Sequence, residues 1–393
     1  MLTAKAFRAL RYDFKKIPLS AGVCPPYDVI RGPLDARLRK GKFNAVHIEL
    51  PRGADPYKAA AGIFARWKKA GILVAEDSPS FYVVEQSARV RGVVKKRSGV
   101  LAALGLDKAT ASRVLRHERT LSKHKKDRQK LIRAVKTNTS PIFGVFADKS
   151  GAVNRLLAKA QTARPLAVGR DSGGLPIRLW RVEDPVAVAA LEKLLAKETL
   201  LIADGHHRYS VGCEHWAATR QTGAGRLLAF LVSERDPGLV VLPTHRVVEG
   251  TPSLRRALAR VCRARPVRDY AALTAALARE RSPYAMGLVE GSSFALLTPA
   301  HGDKGVKSGF ATDWLFRRLL SRVDPHDISY FSEAGEAAAE ARRSGRLALL
   351  LKDFAVGDIR KAVLKAGLLP QKSTYFYPKI PTGLVFRSFE LDP

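Results

Sequence analysis

One stretch decides the fold class of this chain: residues 199–209, with the sequence TLLIADGHHRY. Its apolar first half predicts a buried strand, and the polar residues that follow predict the start of a helix. A helix begins with backbone N–H groups that lack an acceptor within the helix and with the positive end of its dipole, which together favour an anion. Gly205 allows close backbone approach, and Arg208 or a histidine can donate to a phosphate. The corner therefore predicts a phosphate or nucleotide site.

Two other interpretations of this corner stay open. A metal site needs several converging imidazoles or carboxylates, and His206 and His207 are adjacent rather than four residues apart as on a zinc-binding helix. A structural hydrogen-bond network explains the polar residues without any ligand. Asp204 can hold a magnesium ion or orient a hydroxyl nucleophile.

Strand and helix patterns alternate along the whole chain, which predicts an α/β protein with mixed sheets. The 393 residues exceed the roughly 250–300 at which a single core stops growing, so we expect two lobes. A turn-rich piece near residue 250 divides the chain into predicted domains 1–250 and 251–393. The helix after Arg208 places Tyr209, Cys213 and Trp216 on one face, and we predict that they lie in the core.

Two further strand predictions concern the connections. Residues 81–86 and 99–106 are expected to be strands joined by an exposed connection at 89–97. Residues 239–248 are expected to form one strand.

The formal charge of +32 comes from 68 Lys and Arg against 36 Asp and Glu. Such a charge predicts attraction to nucleic acid, anionic membranes or anionic metabolites. The densest basic block, residues 89–136, contains no Phe, Tyr or Trp, whereas stacking on single-stranded bases favours aromatic residues. A solvated basic face and a nucleic-acid surface both stay open.

Composition also excludes several classes. Cys24, Cys213 and Cys262 lie far apart without a CxxC pair, so neither a disulfide scaffold nor a thiolate zinc site fits. No segment reaches the roughly 20 apolar residues of a membrane span, and the first residues lack a secretory signal pattern. The sequence predicts a cytoplasmic protein with no membrane contact.

Two clusters in the first half of the chain carry candidate chemistry. In CPPYDV, residues 24–29, two prolines hold the backbone extended and present Tyr27 and Asp28 as substrate-binding candidates, unless the piece is a stiff connector. In RHERT, residues 116–120, His117 beside Glu118 can perform acid–base catalysis at a bend, and surface salt bridging is the alternative.

Two clusters in the second half complete the set. In LPTHR, residues 242–246, Pro243 indicates a strand edge, which places His245 and Arg246 beside a cleft as substrate-binding candidates; a packed histidine is the alternative. The segment PQKSTYFYPK, residues 370–379, lacks the glycines of a Walker motif. Its polar residues still provide anion-binding candidates: Lys372, Ser373, Thr374 and Lys379. The alternative is a C-terminal strand with aromatic residues in the core.

These five clusters, in this order, resemble the bacterial and archaeal family called domain of unknown function 1015. The matching pieces are CPPYDV, RHERT, ADGHHRY at 203–209, LPTHR and PQKSTYFYPK. They span nearly the whole chain. The DGHHR run is also similar to the DGHxR loop of free-serine kinases with a ParB- or sulfiredoxin-like fold.

The resemblance implies a ParB-like nucleotide-binding core and a kinase that phosphorylates the hydroxyl of free L-serine or a related hydroxy amino acid. The cofactors implied are ATP or ADP with Mg²⁺. Phosphate contacts are implied for Gly205, His206, His207 and Arg208, and Asp204 is placed near the metal or the substrate hydroxyl.

We predict Glu118 as the catalytic base, with His117 and Arg246 nearby, and Lys379 among the substrate-binding residues. Arg208→Ala is expected to weaken nucleotide binding and leave the fold intact. Two alternatives remain: a ParB-like protein that binds nucleic acid through its basic face, and a non-catalytic ligand-binding protein.

Overall fold

The structure of this protein is a computed structural model that describes residues 1–118, 122–300 and 305–392, with only the backbone for 122–124. Arg119 and Thr120 of the RHERT motif lie outside the described residues. Among the described residues, no helix is both long and apolar enough to cross a membrane.

The strands of the described chain, in sequence order, are β1 (Ala4–Lys5), β2 (Leu10–Tyr12), β3 (Leu73–Ala75), β4 (Phe81–Val90), β5 (Val93–Gly105), β6 (Val114–Leu115), β7 (Thr137–Asn138), β8 (Ile142–Phe146), β9 (Ala167–Arg170), β10 (Pro176–Val182), β11 (Leu200–Asp204), β12 (Arg226–Ser233), β13 (Val240–Pro243), β14 (His245–Val248), β15 (Cys262–Val267), β16 (Met286–Glu290), β17 (Ser293–Pro299), β18 (Ser329–Phe331), β19 (Leu347–Leu351), β20 (Thr374–Tyr377) and β21 (Arg387–Ser388).

The α-helices are α1 (Leu19–Gly22), α2 (Gly32–Arg39), α3 (Val46–Glu49), α4 (Pro56–Lys69), α5 (Lys108–Ala111), α6 (Ser122–Val135), α7 (Ala152–Ala160), α8 (Pro185–Leu195), α9 (His206–Thr219), α10 (Pro252–Val261), α11 (Tyr270–Arg279), α12 (Ala311–Leu315), α13 (Ala334–Ser344) and α14 (Val356–Ala366). Short 3₁₀ turns occupy Tyr27–Val29 and Pro325–Asp327, and a π-helical turn, Phe316–Leu320, continues α12.

The first of two compact units comprises Met1–Leu115, Thr120–Leu239 and Pro378–Pro393. Within its described residues, nine strands form a sheet in the order β6-β11-β8-β12-β5-β4-β10-β9, with β1 paired to β5. The β6–β11 and β8–β12 pairs are parallel, and the other pairs are antiparallel. The DGHHR corner follows β11, which lies between β6 and β8. Every residue of β8 and β11 is buried, so the corner begins inside the sheet.

The second unit comprises Arg116–Arg119 and Val240–Tyr377. Its six-stranded sheet has the order β15-β17-β16-β19-β14-β18, and β13 pairs separately with β20. All of these pairings are antiparallel. One core forms around Leu254 and Trp314, and another forms around Leu273 and Ala337.

The α/β class with mixed sheets is confirmed, and a ParB-like core stays a prediction. The core position of Tyr209 is also confirmed: it is buried, and Cys213 and Trp216 pack against the same cluster. The predicted domains 1–250 and 251–393 stay a prediction. The compact units divide the chain elsewhere, because residues 116–119 belong with the second unit and 378–393 with the first.

Two strand predictions were wrong. The expected exposed connection at 89–97 is mostly strand, since β4 and β5 continue to a turn at Arg91 and Gly92. Charged side chains are compatible with strand structure in a hairpin whose tip faces solvent. The expected strand 239–248 is interrupted at Thr244, and its halves β13 and β14 join different sheets. Pro243 cannot donate to a sheet, which favours a break there.

Candidate functional site

The candidate site of the first unit is the corner between β11 and α9. The register between β11 and β8 shifts between Ile202 and Asp204, an irregularity often found next to functional sites. Gly205 follows with a φ of +87°, a left-handed conformation that favours glycine. A Cβ at this position would lie 3.1 Å from Arg208 Nε and 3.1 Å from Ile142 Cγ2. The corner therefore favours glycine for its conformation, and a Cβ would fit only if Arg208 and Ile142 shifted slightly.

Asp204 ends β11 and is held by two cations. Arg208 Nη2 donates to its Oδ2 at 2.6 Å, and Lys379 Nζ donates to its Oδ1. Burial by itself raises the pKa of the Asp204 carboxyl, but Lys379 and then Arg208 outweigh it and hold the pKa well below its ordinary value. Because the pKa is lower in the folded protein, the ionised Asp204 carboxylate stabilises the fold. This stabilisation is fully present at a pH above the unfolded pKa of about 3.9, and it is lost as the pH falls through the folded pKa.

Arg208 ties the start of α9 to the segment before β8. Its Nη1 donates to Ser140 Oγ at 2.6 Å and to the Pro141 carbonyl, and its side chain is buried. Nε has no hydrogen-bond acceptor among the described residues. His206 is buried in the same first turn, whereas His207 is half-buried. The corner thus combines a helix start with positive charge, which is the setting that suits a phosphate.

The CPPYDV motif is brought to the same unit. The Arg128 guanidinium lies 4.3 Å from the centroid of the Tyr27 ring, and Arg128 Nη1 donates to Glu49 Oε1 at 3.2 Å. Burial raises the pKa of Tyr27 to about 12, while the nearby Arg208 opposes that rise. The neighbouring Asp28 has a buried Oδ1 with no hydrogen-bond partner among the described residues.

A small cavity of about 40 Å³ lies beside Arg208. Its polar lining includes Glu49, Arg128, Thr139 and Ser140. Thr139 Oγ1 donates to Glu49 Oε2 at 2.8 Å, so the buried carboxylate accepts from both Thr139 and Arg128. A polar cavity of this size has room for a few water molecules.

The second unit brings together RHERT and PQKST. His117 Nε2 lies 2.9 Å from Thr374 Oγ1, and Glu118 Oε1 accepts from the Ser373 backbone N–H at 3.2 Å. The carboxylate also lies 3.8 Å from His117 Nε2. His117 is fully buried, and Leu369 N–H donates to its carbonyl at 2.7 Å. Two of the predicted catalytic residues, His117 and Glu118, are therefore anchored by the segment that carries three predicted phosphate ligands.

Arg246 anchors the same segment from β14. Its Nη2 donates to the Lys372 carbonyl at 2.9 Å, and its guanidinium lies 5.6 Å from the Tyr330 ring centroid. Burial lowers the pKa of Arg246 to about 10, against the opposing effects of Tyr330 and Glu118. Lys372 has a φ of +54° and an exposed side chain.

Ser373 and His245 are engaged by protein groups. Ser373 Oγ donates to the Pro370 carbonyl at 2.6 Å and accepts from Thr312 Oγ1 at 2.9 Å. His245 is buried, and its Nδ1 accepts from Leu351 N–H at 3.0 Å. A packed histidine, the alternative interpretation from sequence, describes this geometry. Substrate contact by His245 and phosphate contact by Lys372, Ser373 and Thr374 stay predictions.

Sequence reasoning missed Glu49, Gln86, Arg97 and Ser140. Arg97 belongs to the basic block 89–136, yet it is fully buried. Its register partner on β4 is Gln86, which is buried as well. The alternation of β5 is the signal that can identify it, because Arg97, Gly99 and Leu101 share one face of the strand.

A resident Mg²⁺ does not fit Asp204 in this arrangement. Its two oxygens accept from Arg208 and Lys379, and Mg²⁺ is bound by carboxylates and phosphate oxygens rather than among cations. Among the described residues, no three His, Cys, Asp or Glu side chains form a metal-binding group. In this arrangement Asp204 is the partner of two cations rather than a metal ligand.

Gly205→Ala tests the corner directly. Under the sequence-based prediction of a nucleotide site, ADP affinity is expected to fall about tenfold. The new Cβ presses on Arg208, and the left-handed φ costs a non-glycine residue roughly 1 kcal/mol or more. The matched control is Gly151→Ala, since Gly151 has a φ of +67° and also precedes a helix, α7. Calorimetric titration with ADP compares them. Equal losses in both variants would show that backbone strain, rather than the corner, matters.

The chain belongs to the DUF1015 family of proteins of unknown function, whose family model matches residues 4–322. No curated protein matches it. Similar solved structures include a conserved hypothetical protein from Pyrococcus furiosus, with 14% identity and a TM-score of 0.40 over 75% of this chain and 97% of that chain. A free serine kinase mutant in complex with ADP has 14% identity and a TM-score of 0.41 over 73% and 92%. SbnI with a C-terminal truncation, from Staphylococcus aureus, has 10% identity and a TM-score of 0.40 over 72% and 85%.

Proposed function

We propose that this protein is a nucleotide-dependent kinase that phosphorylates the hydroxyl of free L-serine or a related hydroxy amino acid. The observation that carries the proposal is the β11–α9 corner. There a left-handed glycine, a helix start and the two cations Arg208 and Lys379 surround one buried carboxylate, Asp204. Preorganised positive charge of this kind is what phosphoryl transfer requires of a protein.

The proposed step transfers one phosphoryl group from ATP or ADP. The amino acid hydroxyl oxygen bonds to the terminal phosphorus, the bond to the bridging oxygen breaks, and ADP or AMP leaves. Gly205, His206, His207, Arg208 and Lys379 bind the phosphates in this proposal. Asp204 orients the hydroxyl in this proposal. Glu118 as the base that accepts the proton stays the prediction made from the sequence. Magnesium is expected to arrive with the nucleotide phosphates.

Product formation tests this function. The purified protein is incubated with Mg²⁺, L-serine and either ATP or ADP, and phosphorus NMR follows the appearance of O-phosphoserine. We expect product with at least one nucleotide. If ADP binds but no hydroxy amino acid is phosphorylated with either donor, the alternative of a non-catalytic ligand-binding protein replaces the kinase.

A second candidate function, nucleic-acid binding, is supported by the tip of the β4–β5 hairpin. Arg89, Arg91, Lys95 and Lys96 are all exposed there. Between Glu85 and Asp107 the sequence contains no acidic residue. The predicted basic face 89–136 was too broad, because Arg97 and Arg128 are buried. These four exposed charges lie on a two-stranded ribbon, an element that can enter the groove of a duplex.

Charge reversal tests the hairpin. Lys95→Glu with Lys96→Glu is expected to lower affinity for duplex DNA about tenfold at about 50 mM salt and to reduce the salt slope by about two. Lys58→Glu with Lys69→Glu is the control, because it makes the same charge change on exposed positions of α4. Filter binding over a salt series measures both. Equal effects of the two pairs, or absence of wild-type binding to DNA and RNA, would contradict the hairpin.

A further inference from the structure

Arg97 is a charged side chain inside the core of the first unit. It is 0% exposed, and its guanidinium lies 4.6 Å from the centroid of the Phe143 ring and 5.3 Å from that of Phe230. Nε and Nη1 have no hydrogen-bond acceptor among the described residues. Burial lowers the pKa of Arg97 to about 9, which Asp236 opposes. Packing alone does not require a charge here, because desolvating it costs free energy that an apolar side chain avoids.

The third nitrogen of the guanidinium makes a directional contact. Arg97 Nη2 donates to Gln86 Oε1 at 2.6 Å, and Gln86 Nε2 donates to the Lys379 carbonyl at 3.1 Å. A guanidinium only donates, so Gln86 must present its carbonyl oxygen to Arg97. Its amide N–H is then directed to Lys379. Arg97 therefore fixes which way the buried Gln86 amide faces.

Both members of the Lys379–Asp204 ion pair depend on this arrangement. The Lys379 backbone is held by Gln86, while its ammonium reaches Asp204. Asp204 pairs with Phe143 between β11 and β8, and the Arg97 guanidinium packs over the Phe143 ring. Arg97 thus holds Lys379 through the amide of Gln86. It also packs on the ring of Phe143, the strand partner of Asp204.

We propose that Arg97 and Gln86 are positioning residues, which hold the Lys379 backbone so that its ammonium stays at the phosphate-binding corner. This inference rests on the proposed function. Neither residue contacts a nucleotide in the proposal. Their effect is transmitted through the position of Lys379, so it must depend on the presence of phosphates in the ligand.

Two variants test the inference from opposite sides. Gln86→Glu keeps an acceptor for Arg97 but loses the donor to the Lys379 carbonyl. Arg97→Met removes the group that orients the amide. We expect each variant to raise the Kd for ADP about tenfold and to leave the Kd for adenosine within about twofold. The thermal midpoint of Arg97→Met is expected to fall by at most a few degrees, because the buried Gln86 Oε1 loses its donor while a desolvated charge is removed.

Two controls complete the design. Arg97→Lys keeps a charged donor and is expected to retain most of the preference for ADP over adenosine. Arg178→Met makes the same chemical change as Arg97→Met at an exposed position of β10 and should have no effect on the preference. A purely structural role of Arg97 would weaken the binding of ADP and of adenosine equally, which would overturn the inference.

Lys379→Met, measured in the same titrations, distinguishes failure of the positioning role from failure of the proposed function. If this variant loses the preference for ADP while Gln86→Glu and Arg97→Met fold and keep it, the positioning role is wrong and the proposed function stands. If the wild-type protein itself shows no preference for ADP, the proposed function fails, and the positioning role fails with it.

Discussion

Arg208→Met is expected to cost both nucleotide binding and stability. The substitution removes the charge-assisted hydrogen bonds to Asp204 and Ser140 and leaves the buried carboxylate with Lys379 as its remaining cation. Breaking one partner out of a buried ion pair typically costs about 3–5 kcal/mol. We therefore expect the thermal midpoint to fall by several degrees and the Kd for ADP to rise about a hundredfold. Thermal unfolding and calorimetric titration measure the two effects.

The control for Arg208 lies on the same helix. Arg220 is the C-cap residue that follows α9, and its guanidinium lies over the Trp216 ring at 4.8 Å from the centroid. Arg220→Met makes the same change of charge and volume there and should leave ADP affinity within about twofold. Wild-type ADP affinity in a folded Arg208→Met variant would remove this arginine from the phosphate site.

Glu118→Gln is expected to slow phosphoryl transfer strongly without abolishing nucleotide binding. The amide keeps an acceptor for the Ser373 N–H, so the local fold should persist. It cannot accept the proton of the substrate hydroxyl, and loss of a general base typically lowers the rate about 10²–10⁴-fold. We expect kcat for O-phosphoserine formation to fall by that factor, while the Kd for ADP stays within about threefold.

Glu336→Gln is the matched control for Glu118. It removes one negative charge from an exposed position of α13 in the same unit and should leave kcat unchanged. A Glu118→Gln variant with wild-type kcat would assign the base to another residue. His117, whose Nε2 lies 2.9 Å from Thr374 Oγ1, is the next residue to test.

Local pattern was sufficient for the DGHHR corner. An apolar run predicts β11, and the glycine and polar residues that follow predict the start of α9. Burial was not predictable from the same residues, because it depends on what packs over the corner. Arg208 is enclosed by Ser140 and Pro141, which lie 68 and 67 residues earlier in the chain. The sequence-based expectation that Arg208→Ala leaves the fold intact is therefore replaced by a predicted loss of stability.

The segment PQKSTYFYPK shows a second limit of sequence reasoning. Its polar residues predict one anion-binding segment, yet Lys372, Ser373 and Thr374 belong to the second compact unit and Lys379 to the first. Side chains that alternate along a strand contact different parts of the protein. The boundary between residues 377 and 378 cannot be predicted from composition. Lys379 was predicted to bind substrate, and its pairing with Asp204 depends on a contact across 175 residues.

The most direct test of the central claim compares ADP with adenosine as calorimetric titrants for the wild-type protein and Lys379→Met. Lys5→Met is the control, because Lys5 forms a more exposed ion pair, with Glu192, in the same unit. We predict that the wild type and Lys5→Met bind ADP about tenfold or more tightly than adenosine, and that Lys379→Met loses most of this preference. Equal affinity of the wild type for ADP and adenosine would contradict a phosphate site at the β11–α9 corner.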